Sequence, residues 1–238
     1  MLRDRKKVFW IFCAICAVMF LMNGLRGDLG SRLISEVLMI PGMIIGISFH
    51  EFAHGWVAYK LGDPTPKFQG RLTVNPRAHV DPIGFVALLF IGFGWGRAVE
   101  INPYNFKNRR RDEMLVAFAG VTMNLIIAIV FSFIYKILAS TIGVTLGMGG
   151  ITGYLGLIIF YIVNINIVLM VFNLLPVPPL DGFGIVTQLF NLERKPWYYT
   201  VYNNGFFILM ILLLFNITDI VLRPLISVFM NIMTNIMF

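Results

Sequence analysis

Two histidines one helical turn apart, with a glutamate beside the first, form the chemistry-bearing cluster of this chain: His50-Glu51-Phe52-Ala53-His54. Residues four apart project from one face of a helix, so both imidazoles can hold one metal ion. Glu51 is placed to take a proton from a water bound to that metal. The cluster sits in an apolar run long enough to cross a bilayer. An ionisable side chain at mid-bilayer costs about 2.5–3.5 kcal/mol on insertion scales. Three together need a compensating partner, and a divalent cation supplies one.

A catalytic zinc ion takes three protein ligands and keeps a fourth position for water. His50 and His54 supply two, and the third comes from Asp181, His79 or a glutamate. Asp181 follows Pro176, Pro178 and Pro179, which stop a helix and free its backbone, and Gly182 allows a tight turn behind it. Alone, this run reads as a turn at a helix end. Beside a histidine pair that lacks a ligand, the metal reading is the stronger. His79 ranks behind it as a near-site group, at the mouth of an irregular apolar segment.

The elements that must position these groups are membrane spans. Apolar residues make up 58% of 238 positions and charged residues 13%, with a mean hydropathy of +0.81, which excludes an ordinary soluble domain. Spans are expected near 8–23, 35–60, 114–137, 154–175 and 204–219, with a sixth candidate at 222–238 that crosses or lies in the interface. The basic start of the chain resembles a signal peptide's charged region, but 8–23 reads as a retained span. The net charge of +7 is scattered between spans, which points to cytoplasmic loops rather than nucleic-acid binding. Cys13 and Cys16 read as small residues of the first span.

Charge placement sets the N-terminus and the end of the His50 span on the cytoplasmic side. Segment 80–96 is short, contains Pro82 and is rich in glycine. Were it to cross, Lys107 and Arg109–Arg111 would fall outside, so it reads as re-entrant. The stretch 68–75, with Leu72 and Val74 alternating with polar residues, reads as a short strand, which either pairs with an extended peptide or is a plain connecting hairpin. Gly42, Gly46, His50 and His54 recur every four residues, so a close-packing glycine seam continues the histidine stripe. The fold class is thus an all-α polytopic membrane protein of about six spans, with a re-entrant or β element between the second and third. It divides into 1–34, a first span and external loop, 35–190, the membrane core, and 191–238, C-terminal helices.

These motifs, in this order, resemble the site-2 protease family of intramembrane zinc metalloproteases, particularly its small bacterial and archaeal members. The matching elements are His50-Glu51-x-x-His54-Gly55, Leu61-Gly62-Asp63-Pro64-Thr65, Gly70-Arg71-Leu72-Thr73-Val74-Asn75-Pro76 and His79-Val80-Asp81-Pro82-Ile83-Gly84. Asn102-Pro103-Tyr104-Asn105-Phe106, Ala119-Gly120-x-x-x-Asn124 and Asn173-x-x-Pro176-x-Pro178-x-x-Asp181-Gly182 follow. Val121 stands where such proteins often carry proline. The resemblance covers roughly 40–190 and implies a three-helix core, zinc on His50, His54 and Asp181, and Glu51 as general base. It implies that Asn173 helps hold the substrate backbone, and it brings Asn124 and His79 into the substrate and oxyanion region. The expected partners are a single-span membrane-protein substrate, the lipid bilayer and a regulatory membrane protein. The rival class is a membrane ion or metal transporter using the same His, Glu and Asp groups. It predicts flux and little dependence on Glu51.

Overall fold

The computed structural model describes residues 29–91, 96–147 and 149–238. The expected first span, 8–23, lies outside the described residues. The longer helices are α1 (Leu29–Lys60), α2 (Pro82–Ile91), α3 (Arg109–Ile142), α4 (Gly150–Asn173), α5 (Asp181–Phe190), α6 (Tyr198–Leu214) and α7 (Ile217–Met237). Among the described residues there is no strand, only a single antiparallel bridge between Val80 and Gly96. Helices α1, α3, α4 and α7 are long and apolar enough to cross a membrane.

Local sequence explains where the helices begin and end. Asn108 caps α3 by accepting from Arg111 N, and Asp112 in its first turn accepts from Asn108 N. Gly143, at φ 70°, ends it in the left-handed conformation that favours glycine. At about 1.5 Å per residue, α3 is about 51 Å long and outreaches the hydrocarbon. It exposes Leu115, Phe118, Ile126, Val130, Phe133 and Ile137, an outer surface suited to lipid.

Helices α1, α3 and α4 pack pairwise into a three-helix core. The glycine seam makes the close contact between α1 and α4. A methyl group on Gly42 would lie 3.0 Å from Tyr161 O, and one on Gly46 would lie 2.6 Å from Leu169 Cδ1. Helix α7 closes the other side, with Leu222 and Met233 packed into a cluster with Val121, Ala128 and Ile167.

Two expectations need correction. The strand at 68–75 does not form. Pro64 and Pro66 open a single helical turn, Thr65–Phe68, Gly70 at φ 68° reverses the chain, and Pro76 starts another turn, Pro76–His79. These backbone restraints override the alternation of Leu72 and Val74. The C-terminal spans are also shifted. Asn216 adopts φ 53° and separates α6 from α7, and α7 runs through Pro224 with Arg223 paired to Asp219 at 2.7 Å. Segment 80–96 begins with α2, ten residues and about 15 Å long, half the hydrocarbon thickness. Its two ends meet at the Val80–Gly96 bridge, where Arg97 N donates to His79 O at 2.6 Å.

One buried carboxylate holds the loops below the core together. Asp63 accepts from Thr65 N (3.1 Å), Thr65 Oγ1 (2.6 Å), Asn102 N (2.8 Å) and Asn105 Nδ2 (2.7 Å). Burial alone would raise its pKa, but these four donors outweigh burial and hold it below the usual carboxylate range. A depressed folded-state pKa gives stability that is present above the unfolded value, about 3.9, and lost as pH falls through the folded one. Asp63→Asn puts an N–H₂ opposite Asn102 N–H and is expected to cost about 1.5–3 kcal/mol at pH 7. Thermal unfolding in detergent measures this, and the gap from wild type should narrow as the buffer is taken below pH 4.

Candidate active site

His50 and His54 lie on α1, each 7% exposed, and Asp181 is the first residue of α5. The cis Pro178–Pro179 turn carries the chain from α4 into α5, so Asp181 projects from a helix start toward the α1 stripe. His50 Nε2 and His54 Nε2 are 3.0 Å apart. Asp181 Oδ2 is 3.2 Å from the first and Asp181 Oδ1 is 3.3 Å from the second.

The hydrogen bonds behind the rings fix what those atoms are. His54 Nδ1 lies 2.7 Å from Val116 O, and a carbonyl only accepts, so Nδ1 carries the proton. His50 Nδ1 lies 2.7 Å from Asn124 Oδ1 and also donates. In the neutral rings that bind a metal, both Nε2 atoms therefore present lone pairs, facing each other and a carboxylate. Asp181 Oδ2 is buried with no hydrogen-bond partner. Acceptors crowded together repel unless a cation lies among them. Zinc bonds of about 2.0–2.1 Å at the tetrahedral angle separate ligand atoms by about 3.3 Å, close to the distances here. The donor set fits zinc.

Gly120 on α3 completes the cradle. A methyl group there would lie 2.4 Å from His54 Nε2 and 2.6 Å from His50 Nε2. Only a glycine lets α3 pass this close to the ligand atoms. Glu51, beside His50, accepts from Val99 N at 2.9 Å through Oε2. The 96–101 segment that supplies this N–H follows the Val80–Gly96 bridge. A cavity of about 390 Å³, within the range of about 300–1,000 Å³ usual for binding clefts, opens over these groups. Ala98, Val99, Asn173, Leu180 and Tyr202 line it together with His50, Glu51, His54 and Asp181.

Of the residues singled out from the sequence, the structure brings together His50, Glu51, His54, Asp181 and Asn173. Asn173 Nδ2 donates to Leu169 O at 2.9 Å, which leaves its amide oxygen for the cavity. Asn124 and His79 do not line the cavity. Asn124 is fully buried behind His50. His79, also fully buried, has Nε2 2.7 Å from Thr73 O, and its carbonyl braces the return of the chain at Arg97. Sequence reasoning did not single out Gly120, Val99 N–H or Val116 O. Gly120 carried a signal, since it belongs to a motif. The two backbone groups carried none.

The protein of known sequence that decides the family is the "Putative zinc metalloprotease YwhC" of Bacillus subtilis, 37% identical over 189 residues, 79% of this chain and 85% of that protein. The chain belongs to the site-2 protease family, peptidase family M50. The family model, Peptidase family M50, matches residues 136–216. The "Putative zinc metalloprotease Rip2" of Mycobacterium tuberculosis is 31% identical over 154 residues, 62% of this chain and 55% of that protein. Rip2 of Mycolicibacterium smegmatis is 28% identical over 185 residues, covering 75% and 67%. No solved structure matches the chain. This M50 peptidase is a zinc metalloprotease, and with four helices among the described residues long and apolar enough to cross a membrane it is a multi-pass membrane protein. Gly120→Ala should remove most bound zinc, because the new methyl occupies the position of the ligand lone pairs. Metal analysis of the purified variant, beside wild type, measures the loss.

Proposed function

We propose that this protease cleaves peptide bonds within or beside the membrane-spanning segment of single-span membrane proteins, at a site wetted from the cytoplasmic face. The observation that carries the reading is the depth of the ligands. His54 and His50 precede Lys60, the last residue of α1, by six and ten residues, about 9 and 15 Å along the axis. That is up to half the hydrocarbon thickness of about 30 Å. Asp181 follows α4, and Arg109–Arg111 open α3, at the same end. Lys67, Arg71, Arg77 and Lys107 lie in the connection between α1 and α3, whereas the 143–149 loop between α3 and α4 has no Lys or Arg. This asymmetry supports a cytoplasmic active-site end. The Val80–Gly96 bridge, which brings the two ends of 80–96 together, supports the reading of that segment as re-entrant.

Zinc, when bound, lowers the pKa of a coordinated water toward about 7 and polarises a carbonyl. Glu51 receives a proton at its carboxylate and later passes it to the leaving amine. Val99 N–H holds Oε2, so Oε1 is the oxygen that moves protons. Asn173 accepts, through its amide oxygen, from an N–H of the substrate backbone. A substrate helix has its backbone groups paired internally, so it must unwind locally before it can be held this way. A regulatory membrane protein fits this scheme as a control on access to the cavity, beside α6 and its Tyr202.

The test separates metal from proton transfer. Glu51→Gln should keep its zinc and lose cleavage of a single-span substrate by at least about 10²–10⁴-fold, the usual contribution of a general base. Parallel metal analysis and cleavage assays in detergent or vesicles report both. Cleavage that survives in the zinc-loaded variant excludes Glu51 as the base. Val99→Pro, which removes the N–H on Oε2, should likewise spare zinc and slow turnover.

A further inference from the structure

Behind His50 a chain of amides crosses three helices, and it has a direction. Asn166 on α4 donates from Nδ2 to Ile162 O of its own helix at 2.8 Å. That leaves its Oδ1 to accept from Asn124 Nδ2 on α3 at 2.9 Å. The same Nδ2 donates to Gly46 O of α1 at 3.2 Å. With both donors used, Asn124 can offer His50 only its Oδ1, at 2.7 Å. All three side chains are buried, and both asparagines are sealed from solvent.

We infer that Asn166 is a positioning residue for the metal centre: by fixing which way the Asn124 amide points, it selects the His50 tautomer whose Nε2 is free to bind. Without Asn166 only the longer contact to Gly46 O holds the Asn124 amide in this sense, and the amide turns over more readily. Its Nδ2 would then face His50 Nδ1, the ring proton would move to Nε2, and that nitrogen would no longer be a ligand. An amide oxygen across α3 from the histidine thus acts on zinc through two hydrogen bonds. The inference rests on the metal site above, and adds a residue that touches neither metal nor substrate.

The test is zinc affinity of the full chain in detergent, read by competition with a chromogenic chelator. The variants are Asn124→Ala, Asn166→Leu, Asn166→Asp and the Asn124→Ala/Asn166→Leu double. Loss of an outer partner of a metal-bound histidine typically costs about 10–100-fold in affinity. Asn124→Ala should fall in that range and Asn166→Leu near its lower end. The double variant should bind within about twofold of Asn124→Ala, because Asn166 has no route to zinc once Asn124 is gone. Asn166→Asp keeps an acceptor for Asn124 Nδ2, and in its protonated form a donor for Ile162 O, so it should bind more tightly than Asn166→Leu. Equal affinity of the Asp and Leu variants, or losses that multiply in the double variant, would overturn the inference. If Asn166→Leu does not fold, Asn166→Asp against Asn166→Ala makes the same comparison. Wild type without zinc would overturn the metal site itself. Wild type with zinc and Asn166 variants unchanged would overturn this inference alone.

Discussion

Three electron-rich groups held within about 3 Å of one another set the terms for the rest of this protein. Left bare, two imidazole nitrogens and a carboxylate oxygen repel, and in a low-dielectric setting that repulsion is large. The bundle holds them together by fixing each ring from behind. Val116 O takes the proton of His54 Nδ1, and Asn124 takes that of His50. The two contacts come from one helix, α3, eight residues apart in sequence. Hence α3 must lie close to α1, and Gly120, between Val116 and Asn124, is the residue that lets it.

Polar chemistry inside an apolar bundle follows the same logic elsewhere. The buried amides of Asn124 and Asn166 find partners on α1, α3 and α4. Small residues rather than apolar bulk bring the helices near enough for such contacts, as at Gly42 and Gly46 against α4. The polar work of the loops is concentrated at Asp63, whose four donors tie the end of α1 to the 102–105 turn.

Much of the site was legible in the sequence because its signals are local or chemically unusual. His50, Glu51 and His54 declare a metal by spacing, and Asp181 stands out as a carboxylate in a proline-rich helix end. Behind them, Asn124 was marked by its motif, but its contacts with His50 and Asn166 were not legible. Asn124 sits 74 residues from His50, and its orientation depends on Asn166, a further 42 residues on. Only helix packing shows that these three meet. Asn166 did leave a trace, as an amide in an otherwise apolar span. His79 reads from the sequence as a near-site group for substrate or oxyanion, because it is a loop histidine beside a metal motif, whereas in the fold it is buried with Nε2 against Thr73 O and does not line the cavity. At 68–75, alternation was a weaker influence than two prolines and a left-handed glycine. The separation of α6 from α7 turned on one residue, Asn216, in a conformation that sequence rarely announces.

The orienting contacts differ in how a gene can alter them. Glu51 is held by the main chain of residue 99 and His54 by the main chain of residue 116. Almost every amino acid supplies the same carbonyl, and every one but proline the same N–H. A missense change at either position, proline at 99 apart, therefore leaves the grip in place. Comparing related genes residue by residue would pass over both. Heritable variation in the geometry of this centre must enter chiefly through the remaining contact, the side chain of Asn124, and through whatever sets its direction.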